Sequence, residues 1–100
     1  MAVIESVQTG TIQFTAAGDA LSDQTRTFNI LTIEYATVSG NGGIFTVVDG
    51  MGSVVDTAAT SAQSPEASHQ MHGEEFTGLG MSAMPSASKV LVRYRRRVKV

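Results

Sequence analysis

The chain has 100 residues, a formal net charge of −2, 42% hydrophobic residues and 16% charged residues, which fits one small globular domain. It contains no cysteine, which excludes disulfide bridges, thiolate metal sites and a cysteine nucleophile. Valine, isoleucine and threonine together number 27 residues, against four leucines. Because side chains branched at Cβ pack well on pleated sheets and lose freedom in helices, this composition predicts an all-β fold.

The first residues and the apolar runs bear on compartment and solubility. Residues 1–5 read Met-Ala-Val-Ile-Glu and lack the basic and apolar segments of a secretory signal. Apolar runs such as Val90-Leu91-Val92 are far shorter than the roughly 20 residues that a membrane-spanning helix needs. We therefore expect a soluble protein, made without export by that route and without a membrane partner.

Two strands are predicted near the N-terminus, Val3 to Val7 and Thr9 to Thr15, meeting near Gly10. Apolar and polar residues alternate in the second of them, which is typical of a strand with one buried face. Residues 16–23 mix small residues with acids and a glycine, and this composition predicts a loop.

The longest predicted strand runs from Arg26 to Val38. Its large apolar residues occupy even-numbered positions up to Ile30 and odd-numbered positions from Leu31 to Tyr35, so the parity of the apolar positions changes at Ile30-Leu31. A change of parity inside an apolar run indicates a β-bulge or a strand covered on both faces, and we predict a central strand with a bulge. The glycine-rich turn at 39–43 precedes a strand at 44–49. Because such turns join neighbouring strands, the two strands are predicted to pair as an antiparallel hairpin.

The second half of the chain alternates turns, a polar stretch and strands. Residues 49–52 predict a tight hairpin with the strand that follows. Residues 56–73 are almost all small or polar and predict a long surface loop. A short strand is predicted before Pro85, and the last predicted strand covers 89–100. The expected fold is a single antiparallel β-sandwich or jelly-roll-like domain over residues 1–100.

Charge is distributed unevenly along the chain. Residues 1–88 contain one basic residue, Arg26, against nine acidic residues, a net charge of −8, whereas residues 89–100 carry +6. Since alternate residues of a strand face opposite ways, odd positions from 89 onward form a basic face and most even positions form a core or partner face. We predict a partner interface made of the basic residues of this segment: Lys89, Arg93, Arg95, Arg96, Arg97 and Lys99.

Three interpretations of this basic segment are open. It is a solvated edge strand whose charges prevent aggregation, or it docks on an acidic surface of an identical or different subunit through arginine–carboxylate pairs. The third is nucleic-acid binding. The net negative charge and the absence of a reader motif disfavour the third, so no nucleic-acid partner is expected.

Motifs that could carry chemistry are sparse. His69 and His72, followed by Glu74 and Glu75, would bring metal-ligating groups together in a helix or tight turn, but the spacing matches no strong zinc motif. No nucleophile elbow, phosphate-binding glycine loop or dinucleotide motif is present in the sequence. We expect no enzyme activity: no catalytic residue, no metal, no cofactor and no small-molecule substrate.

A pattern of turns and strands covers residues 40–94. Its parts are the glycine turn at 40–43 leading into 44–50, the segment 75–79 and the strand 89–94. In this pattern the chain resembles small virion proteins of tailed bacteriophages, of the head decoration or capsid cement type. It departs from them at Val48, where many have an aromatic residue, and at 85–88, where many have a glycine turn.

The resemblance implies a cysteine-free β-sandwich that binds the outside of an assembled capsid, cements neighbouring subunits and is often trimeric. The implied partner is the major capsid protein, and the implied location is the virion after synthesis in the host cytoplasm. Two alternatives stay open: a structural component of the tail or head–tail connector, and a carbohydrate-binding β-sandwich. The second is disfavoured by the absence of tryptophan and the presence of only two tyrosines, Tyr35 and Tyr94.

Overall fold

A computed structural model describes residues 3–6, 10–21, 24–37, 43–61, 63–85 and 88–95. The described residues form strands and no helix, which confirms the predicted all-β class. No helix in this part of the chain is therefore long and apolar enough to cross a bilayer. The strands are β1 (Val3–Ser6), β2 (Thr11–Phe14), β3 (Thr27–Thr37), β4 (Ile44–Val48), β5 (Val54–Ala59), β6 (Glu66–Thr77), β7 (Gly80–Ala83) and β8 (Ser88–Tyr94).

The strands form two antiparallel sheets, as predicted for a β-sandwich. The larger sheet has the order β1-β2-β8-β3-β6, and the smaller has the order β5-β4-β7. Alternate residues of both sheets are buried between them. Burial of these side chains is the main force that holds the sheets together. The core contains Ile12, Phe14, Phe28, Ile30, Ile33, Tyr35, Phe45, Val47, Leu79, Met81, Val90 and Val92.

The bulge predicted in β3 is confirmed. The register of β3 against both neighbours shifts between Ile30 and Thr32. Leu31, between them, is exposed, and the buried parity changes on either side of it. On the neighbouring β6, His72 and Gly73 both have positive φ, 56° and 78°. These backbone conformations accommodate the extra residues of the irregular strand.

The predicted hairpin between the strands at 26–38 and 44–49 is wrong. β3 pairs with β8 and β6, whereas β4 pairs with β5 and β7 in the other sheet. β3 and β4 instead face each other across the core, where the rings of Tyr35 and Phe45 lie 5.1 Å apart. Both strands have a strongly apolar face, and packing face to face buries these faces in a way that side-by-side pairing does not.

The tight hairpin predicted at 49–52 is confirmed by the antiparallel pairing of β4 with β5. The Asp49 carboxylate accepts hydrogen bonds from the backbone N–H groups of Met51 and Ser53, each at 2.9 Å. Asparagine and aspartate side chains commonly stabilise turns in this way.

The long surface loop predicted at 56–73 is also wrong. β5 extends to Ala59 and β6 begins at Glu66, so the connection spans only residues 60–65. Along β6, Ala67, His69 and Met71 are half-buried while their neighbours are exposed. The alternation typical of a strand is therefore present, but it is carried by small and polar side chains that give a weak hydrophobic signal.

Candidate functional site

The basic segment enters the larger sheet at its centre, through β8. β8 pairs with β2 on one side and β3 on the other. The interpretation of this segment as an edge strand is therefore wrong for Ser88–Tyr94. Val90 and Val92 are fully buried, and a strand with such a face is best accommodated between two neighbours. Residues 96–100 lie outside the described part of the chain.

The predicted alternation along β8 is confirmed within the described residues. Lys89 and Arg93 are exposed and Leu91 is half-buried, while Val90 and Val92 face the core. Arg95, directly after the strand, is exposed as well. Three of the six predicted interface residues thus lie on the outer face of the larger sheet. Arg96, Arg97 and Lys99 fall outside the described residues.

Carboxylates of the neighbouring strands accompany these cations. Arg93 Nε donates a hydrogen bond of 2.7 Å to Glu34 Oε2 on β3. Lys89 lies opposite Ala36, which lies in turn opposite Glu66 on β6. The outer face is therefore a surface of mixed charge, and not the uniformly basic ribbon that the alternation of β8 alone predicts. Glu34 is the partner that sequence reasoning missed.

An open groove with a volume of about 440 Å³ crosses this face. Gln13, Leu91, Glu34 and Ser68 form one row across four strands. Because the row belongs to a hydrogen-bonded sheet, its side chains have fixed relative positions before any partner arrives. The groove is lined by Gln13, Glu34, Tyr35, Ala36, Glu66, Ala67, Ser68, Lys89 and Leu91.

Two of the three described cations on this face have no charged partner. Among the described residues, neither Lys89 nor Arg95 forms an ion pair within 4.0 Å, in contrast to Arg93. Arg95 lies over Gly73, where an added Cβ would come within 3.2 Å of its Nη2 atom. Exposed guanidinium and ammonium groups can donate hydrogen bonds to the carboxylates of a partner surface.

A second polar cluster, formed by Glu5, Arg26 and Tyr94, lies at the end of β8 on its core-facing side. Arg26 donates two hydrogen bonds to Glu5, Nη1 to Oε1 and Nη2 to Oε2, each at 2.6 Å. The Tyr94 hydroxyl donates to the same Oε2 at 2.8 Å, and its ring packs edge-on against Phe28 with centroids 5.0 Å apart. Burial and the hydrogen bond to Glu5 raise the pKa of Tyr94.

A third cluster connects the two sheets. The Asp56 carboxylate of β5 accepts a hydrogen bond from the Tyr35 hydroxyl of β3 and lies 2.7 Å from His69 Nδ1 of β6. The Tyr35 and His69 rings also meet edge-on at 5.5 Å. Burial, reinforced by the hydrogen bond to Asp56, raises the pKa of Tyr35. The cluster is a partly exposed polar link between the two sheets.

The structure does not bring His69, His72 and the two following glutamates together. His69 faces inward toward Asp56, whereas His72 is exposed in the bulge with φ at 56°. Within the described residues, no group of three or more histidine, aspartate or glutamate side chains is arranged to hold a metal ion. A strand separates residues three apart onto opposite faces, so the grouping expected in a helix or tight turn does not form.

The two tyrosines offer no surface for stacking a sugar. Tyr35 is 1% exposed and Tyr94 is 9% exposed, and both rings pack in the core. Carbohydrate sites usually stack a sugar ring on an exposed aromatic face. Both positions are therefore occupied by structural contacts.

Comparisons with protein-family models, with curated proteins and with solved structures gave no match to this chain.

Proposed function

We propose that the protein is a non-catalytic structural protein of a tailed-bacteriophage virion that binds the outside of the assembled capsid and joins neighbouring capsid subunits. Its partner in this proposal is the major capsid protein, and it acts as a homo-oligomer, with three copies favoured. The observation that carries the proposal is the display of Lys89 and Arg95 on the outer face of the larger sheet, without a charged partner in the described residues.

The position of these cations supports binding by docking. β8 is hydrogen-bonded on both sides, so its side chains start from fixed backbone positions and lose less entropy when a partner binds. Arg93 is already oriented by Glu34, which leaves part of its guanidinium group for a second carboxylate. A partner surface with acidic side chains spaced along an extended segment fits this face.

Stabilisation of the shell then follows from the thermodynamic linkage between binding and assembly. A protein that binds the assembled shell and not the separated subunits stabilises the shell by its binding free energy. A shell presents many equivalent sites, and an oligomer that engages several of them gains avidity from modest individual contacts. Such a role requires binding surfaces and no reactive group.

Co-sedimentation with shells assembled from the major capsid protein tests the proposal. The variant Lys89→Gln/Arg95→Gln removes both unpaired cations and lowers the net charge by two. Thr57→Glu/Ser82→Glu, at exposed positions of the smaller sheet, is the matched control because it lowers the net charge equally on the other side of the sandwich. We expect the first variant to bind about tenfold more weakly and the control to bind as the unmodified protein does.

Two results would contradict the proposal: no binding of the unmodified protein to shells, or equal loss of binding in both variants. Purified tails and connectors in the same assay address the alternative of a tail or head–tail connector component. Binding to these particles together with no binding to shells replaces the capsid assignment with that alternative.

A further inference from the structure

The last strand of the larger sheet on the side of β3 is β6. Within the described residues β6 pairs with β3 only, so its other side is an open edge. At twelve residues it is the longest strand described, and it is largely exposed. An open edge of this length presents backbone N–H and C=O groups that another strand can pair with.

This edge is acidic. Glu66, Glu74 and Glu75 are exposed, and none of them forms an ion pair within 4.0 Å among the described residues. Two identical β6 edges would bring glutamates together, and like charges facing each other disfavour pairing. The edge therefore selects against its own copy and favours a basic strand.

The same chain contains a segment of that chemistry. Residues 96–100 read Arg-Arg-Val-Lys-Val, with three cations and no acid. Valine and arginine side chains in an extended segment suit a strand that adds to a sheet edge with charged groups toward solvent. We propose that the open edge of β6 binds residues 96–100 of a second copy of this chain, close to Glu74 and Glu75.

Geometry favours a second copy over the segment of the same chain. The Arg95 N–H donates to the Asn29 carbonyl, so the chain is still bonded to β3 at that point. Strands lie about 4.8 Å apart, so the position beyond β6 is three spacings, about 14 Å, from β8. Residues 96–100 span about 17 Å when extended. Reaching the edge would use nearly all of them and leave too few to pair.

Such a contact joins two different surfaces and is therefore heterologous. Heterologous contacts close into rings when the rotation between copies permits it. A ring of three copies would satisfy every β6 edge and leave the outer face of β8 available to another partner. The contact deepens the proposed function and rests on its homo-oligomer, but its test concerns the isolated protein and needs no capsid.

A charge-exchange experiment tests the contact, with the mass in solution measured by sedimentation. Glu74→Lys/Glu75→Lys reverses the charge of the β6 edge, and Arg96→Glu/Arg97→Glu reverses the charge at the start of the segment 96–100. We expect the unmodified protein to associate and each variant alone to associate at least about tenfold more weakly. We expect an equimolar mixture to recover association, because each edge then meets a segment of opposite charge. A monomeric unmodified protein, unchanged association of the variants, or no recovery in the mixture would overturn the contact.

Cross-linking keeps the test informative if a reversed variant does not fold. The chain has no cysteine, so single thiols can be placed without background. We expect a short bis-maleimide to join Gln70→Cys to Val100→Cys in a mixture of the two variants. Thr57→Cys on β5 is the control for the edge position and is expected not to react with Val100→Cys. Two outcomes contradict the contact. One is cross-linking within a single chain of the double variant Gln70→Cys/Val100→Cys, and the other is the absence of cross-linking in the mixture of single variants. Neither assay contains capsids, so its failure is distinct from a failure to bind shells.

Discussion

Arg26 and Glu5 face each other in a two-point ion pair in which both N–O distances are 2.6 Å. Glu5 belongs to β1, and Arg26 immediately precedes β3, although β2 and β8 lie between these strands in the sheet. The Tyr94 hydroxyl of β8 shares the Glu5 carboxylate. The pair thus ties three elements of the larger sheet together at one end, where β8 leads into the rest of the basic segment.

Replacing Glu5 with glutamine should lower the free energy of unfolding by about 1–2 kcal/mol. The change removes a bidentate charged interaction, but the Arg26 side chain is 36% exposed, so solvent screening limits the loss. Glu66→Gln, at an exposed carboxylate without an ion pair in the described residues, should change stability by less than about 0.5 kcal/mol. Urea unfolding of the two variants measures the difference, and equal values would contradict a stabilising role for the pair.

The same pair predicts a dependence of stability on pH. The hydrogen bonds from Arg26 lower the pKa of Glu5, against the opposing effect of partial burial. A carboxyl group whose pKa is lower in the folded state stabilises the fold above its unfolded pKa, about 4.3, and this stabilisation disappears as pH falls through the folded value. The stability difference between the unmodified protein and Glu5→Gln should be constant from about pH 6 to 7 and should shrink below about pH 4. A difference that persists unchanged to low pH would contradict the assignment.

Asp56→Ala should destabilise the protein more than Tyr35→Phe. The first change leaves the buried Tyr35 hydroxyl without its acceptor, which costs about 1–3 kcal/mol, whereas the second removes the hydroxyl itself and costs about 1 kcal/mol. The double variant should lose less than the sum of the two. A thermal or urea double-mutant cycle measures this coupling, and strict additivity would show that the two groups do not interact in solution.

Gly78→Ala and Gly18→Ala form a matched pair. Both glycines have positive φ, 78° and 85°, so alanine is strained at either position by about 1 kcal/mol. At Gly78 an added Cβ would also lie 2.7 Å from the backbone of Gly50, whereas at Gly18 nothing lies within 4 Å. We expect Gly78→Ala to lower the free energy of unfolding by at least about 2 kcal/mol more than Gly18→Ala. Similar losses would mean that the close approach at Gly78 does not constrain the fold.

Deleting residues 58–68 should abolish folding. The deletion removes Ala58, which is buried, and Thr60, whose hydroxyl meets that of Thr37 at 2.6 Å, together with the start of β6. Both sheets would lose strand pairing. Removing residues 62–63 alone shortens the connection without touching a described strand and should leave the β-type circular dichroism spectrum intact. A folded product from the larger deletion would show that β5 and β6 contribute little to stability.

The features predicted correctly are those with a strong local pattern. The parity change at Ile30-Leu31 indicates the bulge because large apolar residues mark both sides of it. In β8, alternating valines and cations assign the two faces directly. In each case the signal comes from side chains that bury large apolar area or carry charge.

The features missed depend on contacts between distant segments. The glycine turn after β3 indicates a change of direction but not whether the next strand joins the same sheet or the opposite one. The inward face of β6 is built from residues such as Ala67, His69 and Met71, whose partial burial becomes apparent only once β6 pairs with β3. Asp56 and His69 come from different sheets, and no local pattern connects them. Sequence reasoning identified the basic residues of the candidate site, but not the carboxylate at Glu34 that accompanies them.

The place of β8 between β2 and β3 has a consequence for biosynthesis. Residues 88–94 are translated after every other described strand, yet they supply the pairing that joins the β1–β2 hairpin to the β3–β6 pair. Before they are made, the two parts of the larger sheet have no strand to join them. Closure depends on pairings such as Ile12 with Val92, about eighty positions apart, so the protein must complete its fold late and through slow long-range contacts.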